Sequence, residues 1–365
     1  MILRLALCAG VICGAVGAAQ TDPATAAIEQ LETAHQSLRA AEASPDPVQA
    51  LTRTIHAYEA GLDAMGDGLR IAAAREAQLN QALALRETEI ARFLMVLQAA
   101  EAAPPAVALM HPAGPDGAAR AQIMMAEMKP ALQQQAEELR IALDEVRILQ
   151  AAQAQAATVL QKALPGAEQA RSALSDAIAA RTELPTRFRE DPVRTAILIS
   201  SVETLDEFTS GLSQISAQPI ALSTGDVSDR KGALDLPVQG NVQGPSGAGI
   251  TVTTRPRALV TSPTAATIRY RGPLLDMGNV VILEPQPDLL LLFAGLEDAF
   301  GRIGDVIPAG TPVGFMGGNT PEIGTILSLS GDGTGAHQSE ALYMEVREGG
   351  RPVDPATWFR TDKDG

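Results

Sequence analysis

Between Leu51 and Leu97 the seam positions fall in alternating steps of four and three: Leu51, Ile55, Tyr58, Leu62, Met65, Leu69, Ala72, Glu76, Leu79, Leu83, Arg86, Ile90, Phe93 and Leu97. A seam that repeats every seven residues predicts a long helix laid along a partner helix. Charge interrupts it only at Glu76 and Arg86. A second seam runs Leu132, Ala136, Leu139, Leu143, Val146, Gln150, Gln153, Ala157, Leu160 and Leu164. Small Ala136 and Ala157 let a partner approach closely, and polar Gln150 and Gln153 weaken the middle. Ala103-Pro104-Pro105 and His111-Pro112-Ala113-Gly114-Pro115-Asp116-Gly117 lie between the seams, where proline ends the first helix. The simplest geometry is an antiparallel coiled-coil hairpin with this segment at its far tip. A generic helical bundle shares the same periodicity.

A shorter helix is predicted over 24–43, broken by Ser44-Pro45-Asp46-Pro47. Helical pattern resumes after Pro165-Gly166 to about Arg181. Asp191 reads as an N-cap with Pro192 in the first turn, opening an arm helix that carries Leu198, Val202, Leu205 and Leu212 on one face with Phe208 alongside. Residues 217–231 read as a polar linker. From about Leu234 the periodicity changes, and β-branched runs separated by Gly and Pro predict strands at 250–254, 280–283, 289–294, 312–316 and 342–346. The fold class is therefore an α+β multidomain chain: hairpin (20–182), helical arm and linker (183–232), and a compact all-β domain (233–360).

Composition sharpens this picture in three places. Only 3% of the 365 residues are aromatic, which suits long helices better than one large globular core. The formal charge of -15 argues against nucleic-acid backbones, which need clustered Lys and Arg. The first 19 residues read as a cleavable signal peptide: Arg4, an apolar run from Leu5 to Val16 too short to span a bilayer, then small residues at Gly17-Ala18-Ala19. An uncleaved anchor is the competing reading. Cys8 and Cys13 both fall inside that segment, so the mature chain would hold neither disulfide nor thiolate ligand.

The β region carries a family likeness over about the last third of the chain. Leu236-Pro237-Val238-Gln239-Gly240, Gly278-Asn279-Val280-Val281-Ile282-Leu283 and Leu291-Leu292-Phe293-Ala294-Gly295-Leu296 resemble successive strands of the LytM, or lysostaphin-type metallopeptidase, domain. Gly304-Asp305-Val306, Ala309-Gly310-Thr311-Pro312-Val313-Gly314, Leu342-Tyr343-Met344-Glu345-Val346-Arg347 and Pro352-Val353-Asp354-Pro355 follow its order to the end. That resemblance implies a duplicated hybrid motif. With the hairpin in front, including Ala103-Pro104-Pro105-Ala106-Val107-Ala108-Leu109, the architecture resembles the EnvC family of murein hydrolase activators. The likeness implies a periplasmic division protein. It would switch on a peptidoglycan (N-acetylmuramoyl-L-alanine) amidase and answer to an FtsE–FtsX-type membrane complex through its coiled coil, with no nucleic acid and no small-molecule substrate.

The same resemblance implies where zinc would sit. The family's first His falls at Gly247 and its Asp at Thr251, the strand His at Gly295, and the H-x-H pair at Ala341 and Tyr343. None of these is a ligand. One imidazole, His337, remains in the β region, and a catalytic zinc needs three protein donors and an open position. The domain is expected to be a pseudoenzyme with no cofactor. Gly247, Thr251, Met277, Gly295, Ala341, Tyr343 and Arg347 would instead line a partner-binding groove. Met277 stands where relatives carry an aromatic. Tyr343 and Arg347 share one face of a strand and are favoured anchor types, although strand packing with a surface ion pair explains them too. His35, His56 and His111 read as helical surface residues, and Gly244-Pro245-Ser246-Gly247 lacks the Lys and the following helix of a phosphate loop. The arm (Leu198, Val202, Leu205, Phe208, Leu212) would occupy the groove at rest, to be freed by pulling on the hairpin. Two rival readings stay open: an active zinc endopeptidase and a structural envelope adaptor. The purified chain is expected to hold no stoichiometric zinc and to release no muropeptides alone. Elemental analysis giving a full equivalent, with chelator-sensitive cleavage, would overturn the pseudoenzyme reading.

Overall fold

The computed structural model describes residues 23–102, 114–181, 184–188, 191–215, 227–320 and 339–360. The expected signal peptide, the Pro-rich segment at 103–113 and His337 lie outside them. Helix α1 spans Pro23–Glu42, α2 Pro47–Ala102 and α3 Gly114–Ala180. Arg75 pairs with Glu145, Glu76 meets Gln150 and Gln153, and Tyr58 touches Gly166, so residue numbers rise along α2 as they fall along α3. The two long helices therefore run antiparallel. Asp46, ahead of α2, accepts from the Gln49 amide at 3.2 Å and caps its start.

The first seam is buried at Leu51, Ile55, Tyr58, Met65, Leu69 and Leu79 and half-buried at Leu62, Ala72, Glu76 and Leu83. The side chains of Arg86, Ile90, Phe93, Leu97 and Leu132 lie outside the described set. The second seam holds at Val146 and Leu160, but Ala136, Leu143 and Gln150 are exposed, and burial passes to Ala156, Ala163, Ala167, Ala170 and Leu174. The shift has a cause in α1, whose Ala27, Leu31, Ala34, Leu38 and Ala41 pack on α2 beside the end of α3, making a three-helix base. The two polar interruptions prove complementary, since Gln150 and Gln153 donate to the two Glu76 oxygens at 3.0 and 2.9 Å.

The expected break at Pro165-Gly166 does not occur. Helix α3 runs through both Pro130 and Pro165, and it starts at Gly114, inside the segment assigned to the turn. A proline costs a helix about 3 kcal/mol, and Ala163 and Ala167 are buried on either side of Pro165, where packing offsets that cost. Gly166 allows the closest approach: a side chain there would begin 2.5 Å from the Tyr58 hydroxyl.

Among the described residues ten strands follow: β1 Asn241–Ser246, β2 Gly249–Thr254, β3 Leu259–Thr261, β4 Ala266–Pro273, β5 Asn279–Gln286, β6 Leu289–Ala299, β7 Val306–Ile307, β8 Pro312–Met316, β9 Glu340–Glu348 and β10 Arg351–Val353. All pairings are antiparallel, in the order β1-β2-β9-β6-β5-β4-β7, with β10 on β9 and β8 joining β3 to β6. The five expected strands are present. Those the sequence did not reveal are short, polar or rich in Gly and Pro (β1, β3, β7, β10), or interrupted by charge at Arg269 and Arg271 (β4). Ile250, Val252, Val281, Leu283, Leu291, Phe293, Leu342, Met344 and Val346 face the main core. Val280, Ile282, Leu290, Leu292 and Ala294 face the other way. The two sets alternate along each strand, so the apolar run Leu289–Phe293 is buried on both faces.

The arm also differs from its expectation. It is two helices, α4 Pro192–Ser201 and α5 Leu205–Ile215, split at Val202-Glu203-Thr204. Asp191 does cap the first, accepting from the Val193 and Arg194 amides.

The Gly166 contact yields a stability prediction. Gly166→Val should cost about 1–3 kcal/mol by overpacking against Tyr58. Tyr58→Phe in the same background should recover part of it, read by chemical denaturation of the full chain. A double variant no more stable than the single one would show that this contact is not the limiting one.

Candidate functional site

Four of the seven expected groove positions meet on neighbouring strands. Thr251 on β2 faces Tyr343 on β9, and Ala294, next to Gly295, faces Tyr343 from β6. Gly295 stands against Ala341: a side chain at Gly295 would begin 2.9 Å from the Ala341 carbonyl. Met277 joins them through its carbonyl, which accepts from the Gly295 amide at 3.0 Å. Gly247 does not. It sits in the β1–β2 turn, outside the stretch of β2 that pairs with β9, with open space around it. The Gly244–Gly247 stretch forms part of a β-hairpin, as its lack of a following helix requires.

This cluster does not fit zinc. Gly295 has φ +92 and already lies against a carbonyl, so a histidine there would need a different backbone. Gly249, with no side chain, faces the Tyr343 ring. Burial first, and then its hydrogen bond to Glu345, push the Tyr343 phenol up, so it stays neutral and donates to Glu345 Oε2 at 2.6 Å. Among the described residues no group of three His, Cys, Asp or Glu could hold a metal.

Arg347 is not the exposed anchor expected of it. Its side chain is 2% exposed and lies under the arm. Its Nε donates to Glu345 Oε1 at 2.5 Å, its Nη1 to the Thr209 hydroxyl at 2.6 Å, and its Nη2 to Asp206. Tyr343, Glu345 and Arg347 thus form a bonded row at alternate positions of β9, as the period of a strand requires. Glu345 is itself 1% exposed, so the row places a matched charge pair beneath α5.

Around the row, α5 makes an apolar contact with the outer sheet face. Phe208 and Leu212 are buried among Tyr270, Leu274, Val280, Ile282, Leu290 and Leu292, and Leu198, Val202, Leu205, Met277 and Tyr343 pack at the edge. Phe208 meets Tyr270 edge to face, with centroids 4.8 Å apart. Arg269 reaches across to the Leu212 carbonyl at 3.0 Å and stacks on Phe188. Burying Phe208 and Leu212 contributes about 1.5–3 kcal/mol each.

Asp206, Thr209, Arg269 and Tyr270 were missed by sequence reasoning. Asp206 and Thr209 are three apart, next to the apolar stripe of α5, which could have marked them as a polar edge aimed at a buried partner. Nothing local marks Arg269, which lies in a strand hidden by its own charges. His35 is exposed apart from a 3.2 Å contact with the Tyr58 hydroxyl, and His56 lies beside Glu59.

No protein-family profile matches the chain, and no curated protein does. Among solved structures it is similar to a Pseudomonas aeruginosa protein assigned to peptidase family M23, at 21% identity over 35% of this chain and 51% of that one, TM-score 0.29. It is also similar to Helicobacter pylori Csd3, at 18% identity over 36% of each chain, TM-score 0.28. A third is a chain of the SpoIIQ–SpoIIIAH pore-forming complex, at 18% identity over 34% of this chain and 73% of that one, TM-score 0.25. This chain spans about half the length of the first and about a third of the second.

The bonded row gives a contrast between two substitutions. Arg347→Met leaves Glu345 buried without its cation and should cost about 3–5 kcal/mol. Asp206→Ala removes a partner that is 73% exposed and should cost at most about 1 kcal/mol. Urea unfolding of both variants checks the ratio; equal losses would mean that Glu345 does not depend on Arg347.

Proposed function

We propose that this chain is a non-catalytic activator of periplasmic peptidoglycan (N-acetylmuramoyl-L-alanine) amidases at the division site. In this reading it is an EnvC-like protein with a degenerate LytM domain, exported by its first 19 residues. Its helical pair receives the signal from an FtsE–FtsX-type complex. Its amidase-binding surface is the outer sheet face around Thr251, Met277, Gly295, Ala341, Tyr343 and Arg347. At rest α4 and α5 cover part of that face.

One observation carries the reading. Four of the five positions where the resemblance puts the zinc-site residues, all but Gly247, come together on β2, β9 and β6 but carry Thr, Gly, Ala and Tyr. The same face is closed by a helix of the same chain through Phe208, Leu212 and the Arg347–Asp206 pair. A surface with no catalytic donors and a removable apolar cover suits binding better than hydrolysis. A cover lowers apparent affinity by the fraction of molecules that are open. Ala341 and Gly295 remain exposed beside it, so a partner has a foothold before α5 moves.

Stimulation of amidases on purified sacculi tests this directly. The wild-type chain should raise dye or muropeptide release by at least one envelope amidase and release nothing alone. Phe208→Ala with Leu212→Ala should raise stimulation at sub-saturating protein. Ala341→Arg, at an exposed position, should abolish it with an unchanged melting curve. Absence of stimulation for every amidase tried, even with the α5 variant, would remove the activator reading. Normal stimulation by Ala341→Arg would move the binding surface elsewhere.

A further inference from the structure

The β domain is gripped from two sides, and the grips differ in kind. On the outer face the arm is held by a buried aromatic and aliphatic cluster, and its root is bonded to the sheet edge. The Arg187 amide donates to the Gly304 carbonyl and the Val306 amide to the Pro185 carbonyl, both at 2.8 Å. The arm is therefore part of the β domain.

The base of the helical pair holds the other side. Glu59 on α2 is 1% exposed, and its Oε1 accepts from the Leu259 amide, on the edge of β3 away from β8, at 2.9 Å. Arg255 donates to the Glu59 carbonyl and pairs with Asp63. The Thr320 hydroxyl donates to Glu168 on α3 at 2.6 Å. Among the described residues of the β domain, only Leu259 and Phe315 are buried in the helical core, with Phe300 packed beside them.

The charges in this joint are incompletely matched. Arg171 Nη1 donates to Glu168 Oε1 at 2.9 Å, but its Nη2 stops 3.9 Å from Glu59 Oε1. Glu59 Oε2 and His56 Nδ1 lie 3.4 Å apart without forming a hydrogen bond, and Arg171 Nε has no hydrogen-bond partner among the described residues. Burial draws the Arg171 guanidinium below its usual value against the pull of Glu59 and Glu168. The same interface borders a crevice of about 470 Å³, open to solvent, between Val48 and Ile178 on the helical side and Phe300, Ile307 and Pro312 on the other. Few apolar anchors, under-paired buried charge and a solvent crevice characterise a separable contact between domains, whereas a core is close-packed and satisfied.

We propose that Glu59 is the clasp of a releasable joint, and that the molecule opens there first. It separates into the helical pair as one body and the β domain with its arm still seated as the other, joined by the short link from Arg181 to Leu184. Moving the helical pair then does not by itself uncover Tyr343; a second event must lift α5. This goes beyond the activator reading and holds whatever the outer face binds.

Pulsed electron spin resonance on the full chain, with Cys8 and Cys13 replaced by Ser, tests the joint with two label pairs. Gln155→Cys with Arg351→Cys reports the helical pair against the β domain, and Ser210→Cys with Arg351→Cys reports the arm against it. In Glu59→Ala the first distance should broaden and lengthen while the second stays as in the unsubstituted chain. The open fraction should rise about tenfold or more, the effect of losing a buried hydrogen bond to a charged group. Arg255→Gln should do the same to a smaller extent and serves if Glu59→Ala does not fold. Two unchanged distances in both variants would show that Glu59 does not hold the joint. Broadening of both distances together would show that Glu59 supports the whole fold, and either result overturns the proposal.

Discussion

Strands β5 and β6 are apolar on both faces, and much of the molecule follows from covering them. One face belongs to the main core of the β domain, together with Leu234, Val238, Val260, Val313, Trp358 and Phe359. The other displays Val280, Ile282, Leu290 and Leu292, which would leave a water-exposed apolar patch on a free-standing domain. The arm supplies what that face lacks. Phe208 and Leu212 enter it from a helix that has little core of its own, and each side of the contact needs the other. The hydrophobic requirement of the sheet, more than any property of α5 alone, sets where the arm sits.

Within that apolar contact, Arg347 provides orientation. Its guanidinium reaches Glu345 on its own strand and Asp206 and Thr209 on α5 together. A planar group with donors in fixed directions accepts few arrangements of its partners, so it specifies how the helix lies where leucine packing alone would tolerate sliding. Burying the Arg347–Glu345 pair adds little net stability, but a misplaced helix would strand a charge.

The parts legible in the sequence are those governed by periodicity. The α2 seam, the strands of alternating or continuous apolar residues, the Asp191 cap and the common face of Tyr343 and Arg347 all follow from spacing alone. Pro165 was misleading because its local penalty is outweighed by contacts from helices more than a hundred residues away in sequence. The second seam drifts for a similar reason, since α1 competes for the same surface of α2. Arg347 read as a surface residue because arginine usually is one, and its carboxylate at Asp206 is remote in the chain. Glu59 gave no signal: one glutamate beside a helical seam looks like solvated charge until the β3 edge is placed against it.

The Glu76–Gln150–Gln153 contact has a consequence for how such a chain can vary. It joins the polar interruptions of both helices at one level, so sliding α2 against α3 by a single turn would leave Glu76 facing apolar positions. Everything between this level and the base is fixed in register. Beyond it, toward 103–113, residues can be added or removed in matched sevens on the two helices without disturbing the joint at Glu59 or the sheet. Each such step alters the extension by roughly 10 Å. Span thus becomes a quantity that drift or selection can adjust independently of the β domain.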